Sequence, residues 1–356
     1  MGGCAGARNL LEACLGARPG DRITIVAEPA EADYYDSAAV AAVIDEALDA
    51  GLYVRKTVVA SALRSEEDER QLLSMVDDAD HVVFFARAGD QIRFHRLPPG
   101  KRYAVSYALD IGMLDSAYGA TSYEALCRFK LAVDELFDTA IRIRVTCPAG
   151  TDLEGMPSEA EPGEITEVSI RRFPMLVPKP ISARRFSGKV VLSRFLLGTG
   201  SRFYDPYALP LASDICADID HGRILRFTGD GEEVARINRH YALISERFGI
   251  DPWVVHSFHA GIHPACRYER APETGYERWG GAAFGNPRIL HFHTCGDYAP
   301  GEISWNVIDP TIIADGVPIW ENGRLLAHNI PGARQTLSDY PDLAELFANP
   351  AFEIGL

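Results

Sequence analysis

Arg22-Ile23-Thr24-Ile25-Val26 is a β-branched run that comes after the turn-forming Pro19-Gly20. A short apolar run bounded by turn signals reads as a buried strand. The segments downstream of it decide the fold. Ser37 to Ala50 carries apolar residues at helical spacing and stops at Gly51, where glycine suits the left-handed residue that closes a helix. Tyr53 to Ala60 returns to strand, Glu66 to Val76 to helix, and His81 to Phe85 to an apolar strand. Arg102 to Tyr107 reads as a further strand, Ser122 to Phe137 as helix, and Ile141 to Thr146 as the strand that closes the series. Upstream of all these, Asn9 to Leu15 reads as a short amphipathic helix. Strands alternating with helices specify βαβ units and a mainly parallel sheet, a Rossmann-like α/β layout. The first strand runs into Val26-Ala27-Glu28-Pro29-Ala30, without the glycines that let a backbone approach a pyrophosphate, so a nucleotide role is not supported.

The pattern changes after Pro148-Ala149-Gly150. Short β-rich segments follow at Gly188 to Leu192, Asp214 to Ile219 and Arg223 to Phe227, with Asp220-His221-Gly222 as a hairpin turn. One clear helix, Glu232 to Phe248, ends at Gly249. Trp253 to Phe258 and Ile289 to Cys295 read as strands, and Ile303 to Leu326 as a β-rich ending with turns at Asp315-Gly316 and Asn322-Gly323. The expectation is a Rossmann-like domain over 1–150 and an α+β domain over 151–356. A length of 356 residues agrees, since it exceeds what one core usually organises.

Bulk composition excludes several functions. A formal net charge of −15 repels phosphate backbones and anionic lipid, so nucleic acid and membrane surfaces are poor partners. Seven cysteines, an odd number with no Cys-x-x-Cys pair, argue against a disulfide framework or a zinc knuckle and for reduced thiols in a cytoplasm. Residues 1–20 contain no continuous apolar run of the signal-peptide kind, and no segment approaches the ~18 apolar residues of a spanning helix.

The chemistry concentrates in two segments. Val254-Val255-His256-Ser257-Phe258-His259 leads to Gly261-Ile262-His263-Pro264, and Ile289-Leu290-His291-Phe292-His293 leads to Cys295-Gly296-Asp297. Alternate strand residues share a face, so His291 and His293 form a ready pair of nitrogen ligands. His256 or His259, with the carboxylate of Asp297 or Glu302, would complete a three- or four-ligand site with an open position. One histidine on a strand is more often a hydrogen-bonded core or surface residue; five in two segments favour a metal site with some bystanders. A metal-free alternative makes His259 or His293 a general base tuned by Asp297. Cys295, two residues beyond His293, is a weaker nucleophile candidate, because a buried cysteine is usually inert. Arg171, Arg172, Arg184 and Arg185 suit carboxylate recognition but read first as a solvated face. Tyr268, Tyr276, Trp279 and Phe284 could lid a pocket or simply pack.

Leu10 to Asp21, Arg144 to Leu153, Gly261-Ile262-His263-Pro264, and Gly296-Asp297 with Asp309-Pro310-Thr311 and Asp315-Gly316 together resemble the thermophilic aminopeptidase (aminopeptidase T) family, which includes the related 2,5-dihydroxypyridine 5,6-dioxygenase. The resemblance implies an N-terminal Rossmann-like domain, a metal in the C-terminal domain, and a homodimer. The chain departs at the ligands. Ser257 stands at one ligand position, Ser304-Trp305-Asn306 replaces the family's His-x-Asp, and the strand histidine of the aminopeptidases falls at Phe292. Loss of acidic ligands argues against a dinuclear aminopeptidase, which needs bridging carboxylates. The leading expectation is therefore a mononuclear enzyme with one divalent ion, iron(II) before zinc. It would act oxidatively on a small polar or aromatic molecule, with His256 or His259, His291, His293 and Asp297 as ligands. The alternatives are a zinc-dependent hydrolase of a small amide or peptide, and a metal-free tailoring or binding protein.

Overall fold

The computed structural model describes residues 3–93, 95–157, 169–198, 203–297 and 299–356. The chain divides into two compact units, Met1–Cys127 with Ile165–Met175, and Arg128–Glu164 with Leu176–Leu356.

The first unit is built on a parallel sheet. Its strands are β1 (Arg22–Ala27), β2 (Tyr53–Val58), β3 (His81–Phe85) and β4 (Arg102–Ser106). The chain then contributes β5 (Ile143–Thr146) and β6 (Asp152–Gly155) to the second unit and returns as β7 (Arg171–Phe173). The strand order is β2-β1-β3-β4-β7, every pair parallel. Counted by position this is the 2-1-3-4-5 order of flavodoxin-like doubly wound sheets. All five residues of β3 are buried, as a strand flanked by neighbours on both sides requires. Helix Ser37–Asp49 starts where Asp36 accepts from the Ala38 N–H, and helix Glu66–Met75 starts with a capping box between Ser65 and Asp68. The chain opens differently from expectation, with a helical turn over Ala5–Arg8 that continues as a wider π-helix over Asn9–Cys14.

The tip of β1 carries a buried ion pair. Glu28 accepts from the Arg87 backbone N–H and pairs with its guanidinium at 2.6 Å, both residues buried. A buried carboxylate already neutralised in this way offers nothing to a phosphate. One expectation needs correction. Ile141 to Thr146 does not close the parallel series: β5 pairs antiparallel with β6 across the Pro148-Ala149-Gly150 turn, and with a strand more than 160 residues later. The sheet is closed instead by Arg171-Arg172-Phe173, an edge strand on which Arg171 stays exposed, as the solvated-face reading has it, while also donating to the Cys14 carbonyl.

The second unit holds two sheets. Its remaining strands are β8 (Ile181–Ser182), β9 (Phe186–Leu192), β10 (Phe195–Leu197), β11 (Ala208–Pro210), β12 (Ile215–Asp220), β13 (Arg223–Thr228), β14 (Val255–Ala260), β15 (Ile289–Cys295), β16 (Glu302–Ile308), β17 (Thr311–Ala314), β18 (Val317–Glu321) and β19 (Arg324–Leu325). An eight-stranded sheet runs β13-β12-β9-β6-β5-β17-β18-β19, and a six-stranded sheet runs β11-β10-β16-β15-β14-β8. The three expected hairpin turns are present. His221 and Gly222, Asp315 and Gly316, and Asn322 and Gly323 all have positive φ, which is the pairing a type I′ turn demands.

The two faces of the six-stranded sheet differ, one aromatic and the other polar. Phe258, Phe292 and Trp305 are cross-strand neighbours on β14, β15 and β16, all with no exposure. They meet Phe186 and Phe227 at ring-centroid distances of 5.0 Å and 6.3 Å. Helix Gly231–Phe248 reaches this face through Tyr241. Trp305 Nε1 donates to the Tyr241 hydroxyl at 2.6 Å, that hydroxyl donates to Thr294 Oγ1 at 2.6 Å, and Thr294 donates to the Ile303 carbonyl at 2.7 Å. Every buried polar atom in this relay has its partner, so the aromatic face fixes the strands without an unsatisfied donor.

The end of β14 is held by a close backbone crossing. A Cβ on Gly261 would lie 2.3 Å from the Asn286 carbonyl oxygen and 2.4 Å from that of Gly285. Gly261→Ala is therefore expected to lower stability by about 1–3 kcal/mol, the usual cost of forcing atoms into filled space. A urea midpoint unchanged from wild type would contradict that packing.

Candidate metal centre

The opposite face of the same sheet carries the histidines. The register pairs Ser257 with His293 and His259 with His291 on one side, and His291 with Asn306, His293 with Ser304 and Cys295 with Glu302 on the other. Alternation therefore brings Ser257, His259, His291, His293, Ser304 and Asn306 to one surface. All six are buried.

Three of these side chains converge. One ring nitrogen from each of His259, His291 and His293 lies within 4.8 Å of the other two. His259 Nε2 is 2.7 Å from His291 Nε2 and 3.3 Å from His293 Nε2. At metal–nitrogen distances of 2.0–2.1 Å, two ligands stand about 2.9 Å apart at a right angle and about 3.3 Å apart at a tetrahedral one. The 3.3 Å separation matches the tetrahedral value and the 2.7 Å one falls short of both, so the set fits a small divalent ion once the His259 and His291 rings move slightly apart.

The groups behind the rings strengthen the fit. His259 Nδ1–H donates to the Pro178 carbonyl at 2.7 Å, which leaves the lone pair of a neutral ring on Nε2. His293 Nδ1 is 2.8 Å from Glu302 Oε1, with the N–H off the line of an ideal hydrogen bond. Glu302 is 1% exposed, so it is spent on His293 and not on solvent. A carbonyl or carboxylate on the far nitrogen is the usual way a protein fixes the tautomer and direction of a metal-binding imidazole. His291 stands edge-on to Phe284, ring centroids 5.6 Å apart.

The other sequence candidates lie elsewhere. A β-bulge between Val255 and Ser257 takes His256 out of the ladder, and its Nε2–H donates to the Cys295 carbonyl at 2.9 Å. His263 is buried in the turn after β14, where its Nδ1 accepts from the Ala265 N–H at 3.2 Å. Asp297 is half-buried in the bend after β15 and is outside the cluster of converging nitrogens, and Glu302 stands against His293. Burial pushes the Cys295 thiol up to about 12, which removes it as a nucleophile near neutral pH. Of the four loop aromatics, Trp279 and Tyr268 are packed in the core, Trp279 Nε1 donating to the Ile354 carbonyl at 2.7 Å, and Tyr276 stacks edge-on to Phe195. Phe284 alone reaches the site.

Fold and site together define a mixed α/β protein, with one parallel sheet and two mainly antiparallel ones, that carries a candidate mononuclear metal centre. No family model matches the chain, and no curated protein sequence matches it. Among solved structures the chain is similar to 2,5-dihydroxypyridine dioxygenase from Pseudomonas putida KT2440, at 14% identity and a TM-score of 0.60, over 93% of this chain and 98% of that one. At that identity the likeness is one of fold, and it agrees with the fold relationship expected from the sequence. No helix among the described residues is long and apolar enough to cross a membrane.

Proposed function

We propose that the chain is a mononuclear metal-dependent enzyme that acts oxidatively on a small polar or aromatic molecule, with iron(II) held by Nε2 of His259, His291 and His293. The observation that carries this reading is the convergence of three imidazole nitrogens on one sheet face, with a carbonyl or a carboxylate behind two of the rings. The oxidative arm draws on the structural neighbour, which is by name a dioxygenase of 2,5-dihydroxypyridine. Bound iron(II) would supply the one-electron chemistry with dioxygen that amino-acid side chains lack. The protein's part is positioning. Pro178 and Glu302 aim His259 and His293, the aromatic face beneath holds the three strands in register, and Phe284 shields His291 from water. Three protein nitrogens leave further coordination positions to small molecules.

A zinc-dependent hydrolase is the second reading, because an all-histidine set with one open side is also a catalytic zinc set. The test is elemental analysis of protein purified without a histidine tag, beside a His291→Ala/His293→Ala double variant. About one equivalent of iron in the native protein, absent from the variant, with oxygen uptake on hydroxylated pyridines or phenols, is the expected result. Zinc with amine release under nitrogen would select the hydrolase. A folded native protein that takes up no metal overturns both and leaves the histidines as acid–base groups.

A further inference from the structure

Asn306 lies directly across from His291 on β16, and Ser304 across from His293. Both share the face of the histidines, as the contact between Glu302 two residues earlier and His293 demonstrates. Asn306 is 6% exposed, and its Nδ2 is buried with no hydrogen-bond partner among the described residues. A buried donor left unmade is costly, and native proteins keep few of them. This one faces the cluster.

The charge balance says what would satisfy it. Three imidazoles bind a cation as neutral ligands, so they cancel none of its charge. Glu302 supplies a single negative charge, and it stands on the Nδ1 side of His293, away from the converging nitrogens. A divalent ion there leaves the buried face with one net positive charge. Buried charge demands a partner. Among the described residues, Asn306 and Ser304 present an amide and a hydroxyl to this face where a carboxylate would have cancelled the charge, so a partner from outside is called for. Two donors on one strand face also suit a planar anion with two oxygens.

We propose that this face binds a small organic carboxylate, one oxygen of which accepts from the Asn306 amide beside the three histidines. The proposal rests on the metal reading above and names the ligand class of that same site. The test uses zinc-loaded protein titrated calorimetrically with acetate and benzoate, and with the neutral acetamide and benzamide. Zinc is counted by elemental analysis in every sample, and melting curves verify folding. A carboxylate should bind once per zinc, at least about tenfold more tightly than its amide, the ratio a charge-assisted hydrogen bond provides. Asn306→Asp should keep its zinc and lose at least about a hundredfold in carboxylate affinity, since a like charge replaces the donor. Asn306→Leu, which removes the donor without adding charge, should lose about tenfold. Equal binding of acid and amide, or an Asn306→Asp variant that binds as wild type, overturns the proposal. Protein that holds zinc but neither carboxylate overturns the proposal alone; protein that holds no zinc overturns the metal reading and the proposal together.

Discussion

His259→Ala is expected to lose at least about a hundredfold in metal affinity, and Glu302→Gln roughly 10–100-fold. The larger loss reflects position. His259 is the ring that both others approach, at 2.7 Å and 3.3 Å, and Pro178 fixes its direction. Four-ligand zinc sites bind with about 10–16 kcal/mol, so one ligand is worth roughly 3 kcal/mol, a little over a hundredfold. Glu302 touches no ion in this scheme. Glutamine at 302 keeps the volume and can still accept from His293 Nδ1, but it removes the charge that makes the imidazole a better donor. Competition with a chelator at fixed pH measures both, and circular dichroism of the metal-free proteins separates lost ligation from lost folding. A His259→Ala protein that retains one tightly held equivalent would remove His259 from the ligand set. Glu302→Gln with wild-type affinity would mean that the 2.8 Å contact is packing and no more.

The sequence made some of this legible and hid the rest for physical reasons. Strand periodicity is local, so β1 to β4 and the shared face of His291 and His293 could be read from spacing alone. The Asp220-His221-Gly222, Asp315-Gly316 and Asn322-Gly323 turns were equally local. Features that depend on register between distant segments could not be read. β5 looked like one more parallel strand because its partner β17 lies far down the chain. The bulge that removes His256 is a property of the β14–β15 ladder, with no mark in either strand taken singly. The contact of Glu302 with His293 depends on the β15–β16 register, which brings Glu302 opposite Cys295 and its carboxylate back to His293. The Pro178 carbonyl that orients His259 is backbone, 81 residues away in the chain, and no residue type announces it.

Acidification supplies a further expected effect, on stability and independent of the metal. Burial alone holds the His240 imidazole down at about 4, against an ordinary value of 6.5. The residue is 4% exposed on helix Gly231–Phe248, edge-on to Tyr204, and its Nε2 has no hydrogen-bond partner among the described residues. Linkage gives the direction. Between pH 6.5 and 4 the unfolded chain takes up a proton that the folded chain refuses, so stability falls as pH falls through this window. Above 6.5 both states are neutral and the effect vanishes; below 4 both are protonated and the loss levels off. A difference of about two and a half pH units corresponds to about 3 kcal/mol. The lowered carboxyls of Asp21, Asp80, Asp152, Asp220 and Asp251 act below their ordinary value of 3.8, beneath that range. Urea unfolding of metal-free protein at about pH 7.5 and about pH 4.5, for wild type and His240→Leu, isolates the residue. The wild type should lose more than the variant, by up to about 3 kcal/mol. Identical losses would mean that water reaches His240 and that its burial does not govern its charge.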